Sequence, residues 1–572
     1  MHDCVIRGGT VVDGTGAPAR EADVAIDGGR ITSVSPGAGR GRREIDARGL
    51  LVTPGWVDVH THYDGQVTWD PYLTPSGWHG VTTVVMGNCG VGFAPVRPDR
   101  RPWLIGLMEG VEDIPGTALA EGIRWEWETF PEYLDAVERM PRALDVAAQV
   151  PHGAVRAYVM EERGARNEKP TQDDIEAMAA LVREAVAAGA VGFSTSRTLL
   201  HRAIDGEPVP GTFAGEDELL GIGAVLGELG RGVFELASDL APEGREVAWM
   251  EALSRKTGRP VTFALLQNDF DRGQWRRLLD AAARCNAGGA RVVPQVAVRP
   301  TGLLMGLEGS AHPFVAHPAY REIAQLPLAE RVAALRDPER RQRLVHEPFR
   351  HELPILDFIA QAFHKLFPLG DPPAYEPAPE RSVAAMAARE GRRPQEVALD
   401  LLLAREGREL LYFPLLNYAD GDFAPIREML LHDTAVVGLS DGGAHCGLIC
   451  DASAPTFLLT HWARDRQRGE RIPLERAVEA QTRRTAALFD FHDRGVLARG
   501  LKADVNVIDF DALRIHAPEM VFDLPGASRR LVQRASGYRA TLVSGQVVQE
   551  DGEATGVLPG RLLRGPQTAG GR

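Results

Sequence analysis

His60 and His62 stand two residues apart at the end of the run Pro54-Gly55-Trp56-Val57-Asp58-Val59-His60-Thr61-His62. The residues before them are mostly apolar and β-branched, the composition of a buried strand. Side chains at i and i+2 of a strand share a face, so both imidazoles are presented to one divalent ion at its C-terminal end. Far downstream, Val437-Gly438-Leu439-Ser440-Asp441-Gly442-Gly443-Ala444-His445 offers a carboxylate after a second apolar run. Two histidines, an aspartate and an open position make a ligand set suited to zinc acting on water. Asp441 is then also placed to take the water's proton and return it to a leaving nitrogen.

Such residues need strands to hold them. Apolar runs at 56–62, 81–88, 153–160, 189–196, 231–238, 259–267, 290–298 and 433–441 alternate with helix-like stretches. One such stretch, 173–188, opens with acidic residues and stops at Gly189. The alternation predicts an α/β fold, a (β/α)8 TIM-type barrel with its chemistry at the C-terminal strand ends. Strands one and eight are neighbours in a closed barrel, which would bring His60 and His62 beside Asp441.

The two ends of the chain read differently. Short strands with tight turns are expected at 4–7, 10–13, 23–27 and 30–34, and again around 495–509, with a hairpin at Ser544-Gly545. Both termini are therefore expected to build one small β-sandwich domain, from 1–53 and 491–560, around a barrel at 54–490. The Gly/Arg-rich end, 561–572, reads as a disordered tail. Segment 299–385 is an insertion whose length suggests a lid or binding loop, the alternative being a helical elaboration without substrate contact.

Composition narrows the class. A chain of 572 residues, 44% hydrophobic and 25% charged, has ample core for a large globular protein. A net charge of -14 and a pI near 5.7 argue against nucleic acid as a partner. No run approaches the length of a membrane span, and the N-terminus reads as a strand instead of a signal peptide, so a cytoplasmic protein is expected. The cysteines (Cys4, Cys89, Cys285, Cys446, Cys450) are five and scattered, which suits reduced thiols. A small-molecule substrate is the expected partner, and a homodimer the expected assembly.

At this point the motifs converge on a family. The HxH after a Pro-Gly strand, Gly87-Asn88-Cys89-Gly90 at strand two, Ser440-Asp441-Gly442 at strand eight and the split β domain resemble the amidohydrolase superfamily. Within it the chain is most similar to the N-acyl-D-amino-acid deacylase (D-aminoacylase) family, and Gly192-Phe193-Ser194-Thr195 resembles that family's strand four. The resemblance implies one metal position formed by His60, His62 and Asp441. It also implies that Cys89, as a thiolate, lies between that position and a second one. Cys89 read by itself is equally a small buried hydrophobe.

The sequence also departs from that pattern. The family draws two further histidines from strands five and six, where this chain has Ala237 and Leu265. Glu235 and Gln267 are the polar residues left near those strand ends. No basic residue follows strand eight in Cys446–Cys450, where the family holds a substrate carboxylate. None of the four lysines (Lys169, Lys256, Lys365, Lys502) lies near 189–196 to bridge two metals. One zinc ion is the economical expectation, another divalent metal the alternative. His445 is a candidate for orienting Asp441, and His201 for touching substrate, against the plainer reading of a solvated loop histidine. The expected activity is metal-dependent hydrolysis of a C–N bond in an amide. A cyclic amide or lactone hydrolase or a decarboxylase on the same scaffold, and a barrel without catalysis, are the competing readings.

Overall fold

The computed structural model describes residues 1–351 and 354–569. At its centre eight parallel strands form one sheet, Trp56–Asp58, Val81–Met86, Asp145–Pro151, Gly192–Arg197, Val233–Ser238, Val261–Ala264, Val292–Val296 and Val436–Val437, each paired with the next. The first and last strands meet through a parallel bridge between Thr61 and Gly442. It is reinforced by hydrogen bonds from His62 N to Gly442 O (2.8 Å) and from Asp441 N to His60 O (3.2 Å). These strands are almost wholly buried, as a parallel sheet covered by helices requires.

Seven of the eight expected strands are present, and the third is a correction. Residues 153–160 lie in the helix His152–Met160, and the strand is Asp145–Pro151 just upstream. Gly153-Ala154-Val155-Arg156-Ala157-Tyr158-Val159-Met160 is a short apolar run whose periodicity fits either structure, and Pro151 provides the break between them.

The termini share a second sheet. Val505–Ile508 pairs antiparallel with Leu51–Pro54, joining the C-terminal strands Tyr538–Val543 and Gln546–Glu550 to the N-terminal strands His2–Val11, Arg20–Asp27 and Arg30–Ser35. The two strands expected at 4–7 and 10–13 are one, His2–Val11, with a shift of register between Ile6 and Gly9. The tail is a second correction. Leu562 and Leu563 are buried, Leu563 N donates to Val146 O, and Gln567 N donates to Asp490 O. Residues 570–572 lie outside the described residues.

The insertion after strand seven is a structured unit that runs past 385. Strands Gly302–Met305, Phe367–Pro368 and Leu411–Pro414 form a small antiparallel sheet. Leu303, Met305, Leu335, Val383, Leu399 and Phe413 form an apolar cluster of its own. His312 and His317 belong to that unit and cap its backbone at Phe314 and Ala319. Among the described residues, no helix is long and apolar enough to cross a membrane.

Beneath the barrel lies a buried charge network. Arg494 donates to Asp145 (2.6 Å), Asp493 (2.8 Å) and Thr83 (2.9 Å), and Lys502 pairs with Asp145 (3.1 Å) and Asp504. Burial alone would raise the Asp145 pKa, but the charges of Lys502 and Arg494 hold it well below the usual carboxylate range. Removing one partner of such a pair strands the other, at a cost of about 3–5 kcal/mol. Arg494→Met is therefore expected to lower the urea midpoint markedly, whereas an unchanged midpoint would show that water reaches these charges.

Candidate metal centre

His60 and His62 leave the first strand on the same face and are each 1% exposed. Cys89 comes from the turn after strand two, and its Sγ lies 3.3 Å from His60 Nε2. One donor atom from each of His60, His62 and Cys89 lies within 4.8 Å of the other two. Oδ1 of Asp441 lies 3.5 Å from His60 Nε2 and 3.7 Å from His62 Nε2. With 15% of its side chain exposed, Asp441 is the member of the four that solvent reaches most easily.

Local backbone puts these groups there. Cys89 adopts a left-handed conformation (φ 56°) between Gly87 and Gly90, which are left-handed too. A Cβ on Gly87 would sit 2.3 Å from Gln149 O, so only glycine lets this turn approach strand three. Asn88 donates to Thr61 O (3.0 Å) and Val85 O (2.9 Å) and accepts from Gln149 (2.8 Å), lacing strands one to three together. Ser194 of strand four accepts from Gly90 N (3.0 Å) and donates to Gly87 O. At strand eight, left-handed residues at Leu439 (φ 59°) and Asp441 (φ 49°) end the strand and turn the carboxylate inward.

The surroundings tune each donor. His60 Nδ1 is 3.0 Å from Gln295 Oε1 of strand seven, so Nδ1 carries the proton and Nε2 keeps its lone pair for an ion. Burial pushes the His60 pKa down to about 4, leaving the ring neutral. Burial would also lower His62, but the carboxylates of Glu112 and Asp441 outweigh it and raise the ring to about 9. For Asp441, burial is overcome by His62, His60 and His445, which hold it below the ordinary carboxylate range. Burial and the nearby Glu235, Glu112 and Asp441 push the Cys89 thiol far up. That makes it a proton-bearing thiol until a cation displaces the proton. Ser440 donates to Asp58 and to His60 O (3.1 Å), steadying the strand-one end.

The donor set of two imidazoles, a thiol and a carboxylate fits a zinc ion chemically. Buried polar atoms point the same way. His62 Nδ1, Glu112 Oε1 and Glu235 Oε1 have no aligned hydrogen-bond partner, although charged groups lie 3.3–4.0 Å away. Buried polar atoms without such partners call for an explanation, and a bound ion at this site supplies one.

The remaining candidates separate. Glu235 is buried at the site, accepting Cys89 N–H at 2.9 Å and lying 4.0 Å from His60 Nδ1. Burial raises its pKa to about 8. Gln267 is not brought to the histidines. Its side chain is engaged by Asp420 (2.6 Å) and Ala419 N (3.2 Å) in the loop before strand eight. Ala237 and Leu265 are core residues. His445 turns its ring toward Glu112 (3.6 Å), and its charge also acts on Asp441. His201 is half-buried, bonded to Ser196 (3.0 Å), and burial with the nearby His445 and His62 pushes its pKa to about 3. It stands at the edge of the site. Sequence reasoning missed Gln295 and Glu112. A glutamine inside the apolar strand Val292–Val296 was a usable signal, whereas Glu112 comes from a helix in the long connection after strand two.

Comparison with known proteins gives the family and the fold. A family profile described as amidohydrolase family matches residues 43–549. D-aminoacylase of Alcaligenes xylosoxydans xylosoxydans is 29% identical over 572 residues, covering 98% of this chain and 97% of that protein. N-acyl-D-aspartate deacylase of the same organism is 34% identical over 292 residues, 50% of this chain and 54% of that one. A solved D-aminoacylase, described for its binuclear metal centre with one-metal activation and second-metal attenuation, superposes with a TM-score of 0.66. It has 25% identity and covers 99% of this chain and 100% of its own. N-acyl-D-glutamate deacylase from Bordetella bronchiseptica, complexed with zinc and a phosphonate mimic of the tetrahedral intermediate, gives 0.63 at 25% identity, covering 98% and 99% of the two chains.

Proposed function

Because the chain belongs to the amidohydrolase family and is a metal-dependent amide hydrolase, acting on carbon–nitrogen bonds other than peptide bonds, we propose that His60, His62, Cys89 and Asp441 form its metal centre. One zinc ion per chain is the stoichiometry of this reading, and N-acyl-D-amino acids are its substrates. The observation that carries it is the convergence of three donor atoms within 4.8 Å, with Asp441 at the solvent side. A divalent ion held there supplies Lewis acidity and makes nearby water more acidic. Asp441, ionised at neutral pH, accepts the proton of the attacking water and delivers it to the leaving nitrogen. His60 and His62 keep that carboxylate oriented from the barrel side. Glu235 takes no proton from water in this scheme, because it is sealed behind Cys89.

Ala237 and Leu265 support the single ion, since neither can ligate a metal where the family uses imidazoles. The reading also takes 54–490 as the barrel, 1–53 and 491–560 as the small β domain, and a cytoplasmic homodimer as the working form. Metal analysis by mass spectrometry on purified protein is expected to find about one zinc per chain. A panel of N-acyl-D- and N-acyl-L-amino acids, cyclic amides and lactones is expected to show turnover of the D-series. Two tightly held ions would overturn the stoichiometry, and turnover confined to lactones would overturn the substrate class.

A further inference from the structure

Glu112 has no part in the chemistry above, yet it is one of the most confined carboxylates in the protein. It ends the helix Arg101–Glu112 and is 1% exposed. A carboxylate in a last helical turn works against the helix dipole, so its position there is explained by something outside the helix. That something is a pair of imidazoles. Oε1 lies 3.3 Å from Nδ1 of His62, and Oε2 lies 3.6 Å from Nε2 of His445.

The backbone around Glu112 is anchored to the strand-eight loop. Asp113 takes the left-handed conformation (φ 50°) and stops the helix. Its carboxylate accepts from Gly447 N (2.9 Å) and Ser310 Oγ (2.8 Å), and its carbonyl from Cys446 N (3.2 Å). The Glu112 carbonyl itself accepts from His445 N. The segment that carries Asp441 and His445 is thus tied directly to Glu112 and Asp113, and through Ser310 to the insertion.

We propose that Glu112 is a positioning residue, holding His62 with Nε2 turned to the metal position and His445 against the mouth of the site. An anion 3.3 Å from Nδ1, in charge contact without hydrogen-bond alignment, favours the ring orientation that points Nε2 at the metal position. It also makes the ring a stronger donor once an ion has displaced the Nε2 proton. Gln295 holds His60 by a direct hydrogen bond to a neutral amide oxygen instead. The two ligand rings are therefore set by different partners, from strand seven and from the strand-two connection. This inference rests on His62 being a metal ligand.

Zinc affinity of the full-length chain, measured by competition with a chelator, tests it in Glu112→Gln and Glu112→Ala. Gln preserves size and an acceptor oxygen while removing the charge. Both variants are expected to bind zinc about 10–100-fold more weakly, the range for loss of a ligand's outer partner. The metal-free melting temperature of Glu112→Gln is expected to match the wild type. Affinity within threefold of wild type in both variants would overturn the proposal. So would a loss of affinity matched by a lower metal-free melting temperature in Glu112→Gln, which would make the residue purely structural. Wild-type protein that holds no stoichiometric zinc would fail before any substitution is made, and would remove the metal centre with it.

Discussion

Asp441→Asn is expected to fold normally and to lose about 10²–10⁴-fold in kcat at saturating zinc, the usual worth of a positioned general base. The substitution is conformationally mild. Asn tolerates the left-handed backbone at this position as well as Asp does, and the Asp441 N to His60 O bond is untouched. What changes is the charge that lies 3.5 and 3.7 Å from the two imidazoles and faces solvent. A neutral amide cannot take a proton from water and is a weaker ligand, so both affinity and turnover should fall. Saturating zinc separates the two, because it restores occupancy without restoring the base. Steady-state turnover within threefold of wild type under those conditions would take the proton-transfer role away from Asp441.

Cys89→Ser should do the opposite, striking metal retention first. The thiol is buried, and burial with Glu235, Glu112 and Asp441 holds its pKa far above the ordinary value, so the empty site keeps the proton. Ion binding must expel it, as it must the extra proton on His62, so wild-type affinity rises with pH, the Cys89 proton contributing up to about tenfold per unit below its pKa. A neutral serine hydroxyl replaces thiolate poorly. Zinc affinity is expected to fall on the order of 100-fold or more, beyond what loss of an outer partner costs. The pH dependence should also become shallower by about one proton. Alkylation gives an independent reading, with Cys89 protected in zinc-loaded protein and labelled after chelation. Equal, slow labelling in both states, together with an unchanged pH slope, would return Cys89 to core filling and leave the ion to His60, His62 and Asp441.

Much of this site was legible without coordinates because its elements are local. His60 and His62 share a face through the period of a strand, and Gly87-Asn88-Cys89-Gly90 encodes a left-handed turn through its flanking glycines. The alternation of apolar runs with helical stretches located seven barrel strands of eight. The third failed where a short apolar run satisfied helix and strand equally, and where Pro151 decided between them. The tail was misjudged for a related reason. Its glycines and arginines read as unstructured, but Leu562 and Leu563 find buried places against strand three that composition does not reveal.

What sequence determined, then, were the candidate donors themselves, residue types and spacings that suit a metal centre at barrel strand ends. Tertiary structure decided their partners. Gln295 beside His60, Glu112 beside His62 and Glu235 behind Cys89 come from segments far from the ligands in the chain. No periodicity links them, because their contacts arise from barrel closure and from the docking of the strand-two helix on the strand-eight loop. The same closure set Gln267 aside, engaging its amide with Asp420, while Glu235 on the neighbouring strand was brought to the site. Local pattern carries the chemistry of a side chain, whereas its proton, tautomer and charge depend on what the fold brings within about 4 Å of it.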